Sequence, residues 1–268
     1  MNKTLALLAT AATLVIVATL ARSNNYTRVD ANGPQLRMLI AGNGGPAVVF
    51  ESGLGAPISY WQRTQTAVSR FTTTFAYDRA GTGGSTEGTA PRDGRQTALE
   101  LHVALAESGV PPPYVLVGHS LGGLYARIYA SMYPGDVAAL VLVDPTRDDE
   151  VDPAAMENTR FPELNAMPAT MQQARAAQLP STLPVYLIAA MGAQGQPWFT
   201  AADTEARQKA EADRADDLAA HQAWVNSLGN GTLIVTRNSG HNVPIEEAVL
   251  VVATIRQALD AAIISGMD

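Results

Sequence analysis

Tyr114-Val115-Leu116-Val117-Gly118-His119-Ser120-Leu121-Gly122-Gly123 decides the fold. Tyr114 to Val117 is a short apolar, β-branched run after Pro111 to Pro113, the pattern of a buried strand. Gly118 to Gly122 then fills the pattern G-x-S-x-G. From Leu124 to Tyr133 the spacing is helical, with Leu124, Ile128 and Met132 on one stripe and Pro134 after the stop. Ser120 therefore stands between the end of a strand and the start of a helix. A turn that tight strains the serine backbone and leaves no room for side chains beside it, so the flanking positions are glycine. It lifts the hydroxyl clear of the sheet and sets it at a helix N-terminus, where free N–H groups and the dipole favour developing negative charge. The Leu121 N–H is then an oxyanion donor. A Gly-rich turn with a buried serine is the competing reading; the flanking strand and helix favour the chemical one.

The pattern around this stretch repeats. Upstream, Ala47 to Phe50 is a buried strand that runs into Ser52-Gly53-Leu54-Gly55, and Thr72 to Tyr77 is a strand that runs into Asp78-Arg79-Ala80-Gly81. Gln35 to Ala41 and Tyr26 to Asp30 are further strand candidates. Ser59 to Arg70 and Gln96 to Ser108 read as helices. Downstream come strands at Val137 to Val143, Leu183 to Ala190 and Thr232 to Thr236, and helices at Ala169 to Gln178, Ala201 to Leu228 and Glu246 to Ile264. Central strands that are apolar on both faces and alternate with helices predict an α/β fold. It is a mostly parallel twisted sheet of about eight strands, helices on both faces, with a short cap insertion over 146–182. Ligands in such sheets bind at the carboxyl ends of the strands. Ser52 to Leu54, Asp78, Ser120, Asp144 and His241 all lie just past such ends.

Composition narrows the chemistry. The chain has 268 residues, 47% hydrophobic and 16% charged, with a net charge of -7, which excludes a disordered chain and disfavours nucleic acid as a partner. It has no cysteine, so disulfides and thiolate chemistry are excluded. His102, His119, His221 and His241 lack metal-ligand spacing, so neither a metal nor another cofactor is expected. Residues 1–22 stand apart: Lys3 leads into an uncharged apolar run from Leu5 to Ala21, closed by Arg22. That is the pattern of a secretory signal peptide, and its length also suits a membrane anchor. The expectation is export, secreted or periplasmic, with residues 1–22 cleaved or kept as a membrane tether, and a single domain over 23–268.

A serine is a poor nucleophile until a base takes its proton, and the base must be oriented by a third group. His241, in a Ser-Gly-His turn after the last strand, is the best base; a loop histidine capping the helix near Pro244 is the bland alternative. His119, next to Ser120, points away and packs, while His102 and His221 read as solvated. The acid is less defined. Met191 to Gln196, after the strand where an acid is conventional, holds no carboxylate. Asp144 ends the preceding strand and can reach a histidine, or it can cap the turn through Pro145; Asp148, Asp149 and Asp203 are the reserves. The second oxyanion donor is the Leu54 N–H, with Gly53 and Gly55 letting that backbone approach the substrate.

Gly118-His119-Ser120-Leu121-Gly122-Gly123, Asp78-Arg79-Ala80-Gly81-Thr82-Gly83-Gly84-Ser85, Ser239-Gly240-His241-Asn242 and the order Ser, Asp, His resemble the α/β-hydrolase superfamily. The likeness covers about Gln35 to Ile264, within the esterase, lipase and proline-iminopeptidase-like branch. It implies a nucleophile elbow at Ser120 with Gly118 and Gly122 beside it, a base at His241, and an oxyanion hole at Leu54 and Leu121. It also implies a structural Asp78 loop at the pocket floor. Two departures stand out. Ser52-Gly53 replaces the family's His-Gly, which changes the support of the backbone donor, and the acid moves to the sixth strand. The expected substrate is an uncharged or weakly polar ester with a modest acyl group, in a fairly open pocket walled by the apolar residues of the cap; Trp61, Trp198 and Phe199 either add to those walls or belong to the core. An aminopeptidase, a lactonase or a cofactor-free haloperoxidase would use the same residues. A non-catalytic ligand-binding protein on this fold is the rival of another class.

Overall fold

The computed structural model describes residues 26–149, 161–192 and 204–265. The deciding run becomes β5 (Tyr114–His119), buried at every position. Parallel to it on either side lie β3 (Ala47–Glu51) and β6 (Val137–Val143). Outward from β6 come β7 (Val185–Ala190) and β8 (Gly231–Thr236). Outward from β3 come β4 (Thr74–Tyr77), β2 (Gln35–Ala41) and β1 (Thr27–Asp30). The order is β1-β2-β4-β3-β5-β6-β7-β8, antiparallel only at the β1–β2 and β2–β4 pairs.

The continuous apolar strands follow from what covers them. Successive side chains point to opposite faces of a strand. Val49, Leu116, Leu140 and Leu142 enter one core, with Leu101 of α2 (Gly94–Glu107), Leu124 and Ile128 of α3 (Leu121–Met132) and Met171 of the helix over Met167–Arg175. Val48, Phe50, Val115, Val117, Val141 and Val143 enter the other, with Val68 of α1 (Gln62–Val68) and Val251 and Ile255 of the closing helix over Ala248–Ser265. A strand packed on both faces has no side left for polar residues. Register then sets the working edge: Glu51 pairs with Gly118 and His119 with Val143, so β3, β5 and β6 end level and the residues after them share one rim.

Some boundaries differ from the expectation, each for a local reason. The helix expected over 59–70 is a 3-10 turn at Ile58–Trp61 followed by α1. Pro57 enters that turn in extended backbone, and the Ile58 N–H is taken by Asp78 Oδ1 at 2.7 Å. The helix after Ser120 begins at Leu121 rather than Leu124, because Gly122 and Gly123 are helical residues. In the cap insertion, α4 (Pro162–Asn165) and α5 (Met167–Arg175) replace the single helix expected over Ala169 to Gln178. After α6 (Thr204–Asn226), the closing helix is broken at Glu247 into α7 (Val243–Glu246) and α8 (Ala248–Ser265). There the Glu247 carboxylate turns back to accept from Ser239 Oγ at 2.8 Å and from Thr236 Oγ1.

Individual side chains also differ from the expectation. His221 was expected in solvent but is 8% exposed. Leu218, His221 and Val225 share one stripe of α6 at helical spacing, and that stripe is turned to the core, where Leu228 joins it just past the helix end. His102 is half-exposed, stacked on Tyr133 at 3.9 Å with Nδ1 3.3 Å from Asp136. Of the two roles open to Trp61, pocket wall and core, the structure gives it the core, where it is fully buried, and Met167 and Met171 of the cap are buried in the core as well. The expected signal or anchor at 1–22, the cap residues 150–160, and Trp198, Phe199 and Asp203 lie outside the described residues. Among the described residues no helix is long and apolar enough to cross a membrane.

Candidate active site

Ser120 has φ 54 and ψ −124, a conformation rare for any residue with a Cβ. Such backbone costs on the order of 1–3 kcal/mol and persists only where the surroundings hold it. Here they do. The Ser120 N–H donates to the Val143 carbonyl at 3.2 Å, and the Ser120 carbonyl accepts from Gly123 at 2.9 Å and Thr146 at 3.1 Å. The glycines leave the space this needs. A Cβ at Gly118 would stand 2.5 Å from the Gly122 carbonyl oxygen, and one at Gly122 would stand 2.3 Å from that of Glu51. Ser120 is thus the N-cap residue of α3, and Leu121, the first residue of the helix, carries one of its free N–H groups.

Asp144 follows β6 with φ 42, its N–H donating to Ile188 at 2.7 Å. Its Oδ1 accepts from the Ala190 N–H at 2.9 Å, and its Oδ2 lies 2.7 Å from His241 Nδ1. The carboxylate is therefore clamped to the backbone of β7 on one side and turned onto the imidazole on the other. A carboxylate can only accept, so it fixes the proton on Nδ1 and leaves Nε2 with a lone pair. Asp148 pairs instead with Arg127 at 2.8 Å and Asp149 with Arg147 at 2.9 Å.

His119 packs against His241, with ring centroids 4.7 Å apart and the rings tilted by 43°. Its Nε2 donates to the His241 carbonyl at 2.8 Å. Burial, with a smaller push from His241, brings the His119 pKa down to about 4, so the ring is neutral at pH 7. Tyr60 stacks on His119 at 5.0 Å and donates its hydroxyl to Asn242 Oδ1 at 3.2 Å. The His241 loop is thus held at two successive residues.

Gly53 lies against the serine: a Cβ there would be 3.2 Å from Ser120 Cβ and 3.0 Å from His119 Nδ1. Gly55 takes φ 64, and Leu54 between them is exposed. Where the family resemblance expects a histidine, Ser52 accepts from Trp61 Nε1 at 3.0 Å, and buried Arg79 donates to the Gly53 carbonyl at 2.8 Å. Asp78 is fully buried and structural, accepting from the backbone N–H groups of Ile58 and Gly84 and from Arg37.

This arrangement has a serine hydroxyl at a helix N-terminus, an imidazole oriented by a carboxylate, and glycine-flanked backbone at the same rim, the groups that acyl transfer uses. Residues 46–207 match the family described as alpha/beta hydrolase fold. The chain belongs to that family. Among proteins of known structure it is similar to Cfl2 of Burkholderia cenocepacia, with a TM-score of 0.67, 16% identity, and 87% of this chain and 95% of that one covered. Est1E of Butyrivibrio proteoclasticus, solved with ferulic acid bound, gives a TM-score of 0.67 at 14% identity over 88% of this chain and 99% of that one. By sequence, YqjL of Bacillus subtilis is 27% identical over 221 residues, 78% of this chain and 82% of that protein. The candidate carbamate hydrolase RutD of Cronobacter turicensis is 42% identical over 103 residues, 38% of each chain.

Several residues at this alpha/beta hydrolase rim had no role of their own in the sequence reading: Glu51, Tyr60, Glu163, and Arg79 and Asn242, which appeared only within longer motifs. A signal existed for two of them. Glu51 ends an apolar strand and Arg79 follows another, and a charge at a buried strand end needs a partner. Among the described residues no cluster of His, Asp or Glu side chains could hold a metal ion. A cavity lined by Arg127, Pro145, Thr146, His221 and Trp224 lies on the Pro145 side of the acid loop.

Proposed function

We propose that this protein is a serine hydrolase acting on carboxylic esters. Ser120 attacks the acyl carbonyl as His241 Nε2 takes its proton. Asp144 holds the imidazole in the required tautomer and stabilises the imidazolium that forms. The N–H groups of Leu121 and Leu54 receive the negative charge on the carbonyl oxygen. His241 then gives its proton to the leaving alcohol, and the acyl-enzyme is hydrolysed by a water that the same base activates.

The observation that carries this reading is the 2.7 Å contact between His241 Nδ1 and an Asp144 that is itself fixed by Ala190. A histidine merely capping α7 would have no need of an oriented carboxylate on Nδ1. The likeness to RutD favours carbamates as a second acyl class, since a carbamate carbonyl asks for the same nucleophile and the same two donors. The test is steady-state hydrolysis of p-nitrophenyl acetate, butyrate and octanoate beside a p-nitrophenyl carbamate, with the parent and Ser120→Ala. Turnover of the short esters, abolished in Ser120→Ala, is expected. A carbamate preferred tenfold over every ester would move the assignment to carbamates. Turnover that survives Ser120→Ala would overturn it.

A further inference from the structure

We propose that Arg79 is the positioning residue of the oxyanion loop, and that Glu163 makes this support depend on the cap segment being docked. The inference rests on the serine-hydrolase reading for its catalytic consequence, though not for its geometry.

Arg79 is 2% exposed, and its five N–H donors meet five acceptors. Nε and Nη2 go to the two oxygens of Glu163, the latter at 3.1 Å. Nη1 goes to Glu51 Oε1 at 2.7 Å and to the Ser52 carbonyl, and Nη2 goes to the Gly53 carbonyl at 2.8 Å. The Tyr125 ring lies alongside the guanidinium at 5.1 Å. No donor is left over, so the group has one orientation.

The Gly53 carbonyl and the Leu54 N–H are the two ends of one peptide unit. That unit is trans and planar, so they point in opposite directions. With the carbonyl held inward on the buried guanidinium, the Leu54 N–H is turned outward. The turn itself supplies a second restraint, the Ala56 N–H donating to the same carbonyl at 3.3 Å. That bond is long and neutral, while the Arg79 bond is short and charge-assisted, so Arg79 dominates. Preorganisation of a donor before the charge develops is where such sites gain most of their rate.

The two carboxylates that hold Arg79 have different origins. Glu51 belongs to β3 and is fixed by the sheet, with the Tyr77 hydroxyl on its other oxygen. Glu163 belongs to α4, in the cap insertion, and is 6% exposed. If α4 lifted away, Arg79 would lose two of its five acceptors in a site shielded from water. Cap docking and oxyanion-loop geometry are then one equilibrium, and a ligand that favours the docked cap favours the competent loop.

The test uses the full chain with Arg79→Lys, Glu163→Ala and Glu163→Gln. Hydrogen exchange at the Ala56 amide reports the loop without any catalysis. Kinetics on p-nitrophenyl acetate and inhibition by a trifluoromethyl ketone, which forms a tetrahedral oxyanion adduct, report the consequence. Arg79→Lys and Glu163→Ala should speed Ala56 exchange at least tenfold. They should lower kcat by about 10²-fold, the loss seen when an oxyanion donor is removed, with KM within twofold. The ketone Ki should rise in step with the loss of kcat/KM. Glu163→Gln, which keeps an acceptor, should recover most of the loss. Unchanged exchange at Ala56 in both Arg79→Lys and Glu163→Ala would overturn the coupling whatever the activity. So would kcat and Ki within twofold of the parent in folded Glu163→Ala. Faster Ala56 exchange in both variants of a parent that shows no Ser120-dependent turnover would uphold the coupling and sink the hydrolase reading instead.

Discussion

Replacing Asp144 by Asn separates the two tasks this side chain performs. Its Oδ1 accepts the Ala190 N–H at 2.9 Å and its Oδ2 faces His241 Nδ1 at 2.7 Å. Asn keeps the shape and, with its oxygen kept on Ala190, presents an NH2 to the imidazole. The histidine must then accept on Nδ1, which places its proton on Nε2, and an Nε2–H cannot take a proton from Ser120. The tautomer is wrong and the imidazolium loses its counter-charge. The loss should approach that of removing a general base outright, roughly 10³–10⁴-fold in kcat, or about 4–5.5 kcal/mol of transition-state stabilisation. Stability should move little, because the Ala190 bond survives. Asp144→Ala, which orphans that N–H, should cost a further 1–3 kcal/mol or so of folding stability. Initial rates on p-nitrophenyl acetate give the first quantity and urea unfolding the second. Asp144→Asn within threefold of the parent in kcat would refute the reasoning and remove Asp144 from the acid role.

Gly53→Ala puts a methyl 3.2 Å from Ser120 Cβ and 3.0 Å from His119 Nδ1, tight enough that Ser120, His119 or the loop must give by a few tenths of an ångström. Its kcat should fall at least about tenfold while circular dichroism stays native, since 1 Å of misplacement can cost about 10² in rate; parental kcat would mean that the loop is not part of the site. His119 has a folded pKa near 4, below the unfolded value, so the unfolded chain binds the extra proton. Its contribution to stability is full above about pH 6.5 and is lost as the pH falls towards 4, a span worth roughly 3 kcal/mol. Urea unfolding at pH 7.5 and pH 4.5 should therefore show a steeper acid loss in the parent than in His119→Gln; equal losses would contradict it. We also propose that residues 1–22 direct export: N-terminal sequencing of protein from the extracytoplasmic fraction should begin near Arg22, and an intact Met1 there would indicate a tether instead of a cleaved signal.

The parallel sheet was legible because it is written locally. Apolar runs such as Val137 to Val143 admit one environment, covered on both faces, and the turn residues after each strand fall on one rim by topology alone. Ser120, Asp144 and His241 were visible for the same reason, each placed directly or a few residues past a strand end. What the sequence hid depends on partners far along the chain. Arg79 meets Glu51 and Glu163 across 28 and 84 residues, and no local pattern predicts such a pairing. His221 looked solvated because α6 is polar along most of its length, while residues of its last turns, such as Leu218 and Val225, pack inward. The break at Glu247 depends on Thr236 and Ser239, which reach its carboxylate only after β8 has joined the sheet.

The most direct test of the central claim is reaction of the full chain with a fluorophosphonate, followed by peptide mass spectrometry. The account predicts one phosphonyl adduct, on Ser120, absent from Ser120→Ala and much slower to form in His241→Ala and Asp144→Asn. A folded parent that does not react, or an adduct on any other residue, would contradict it.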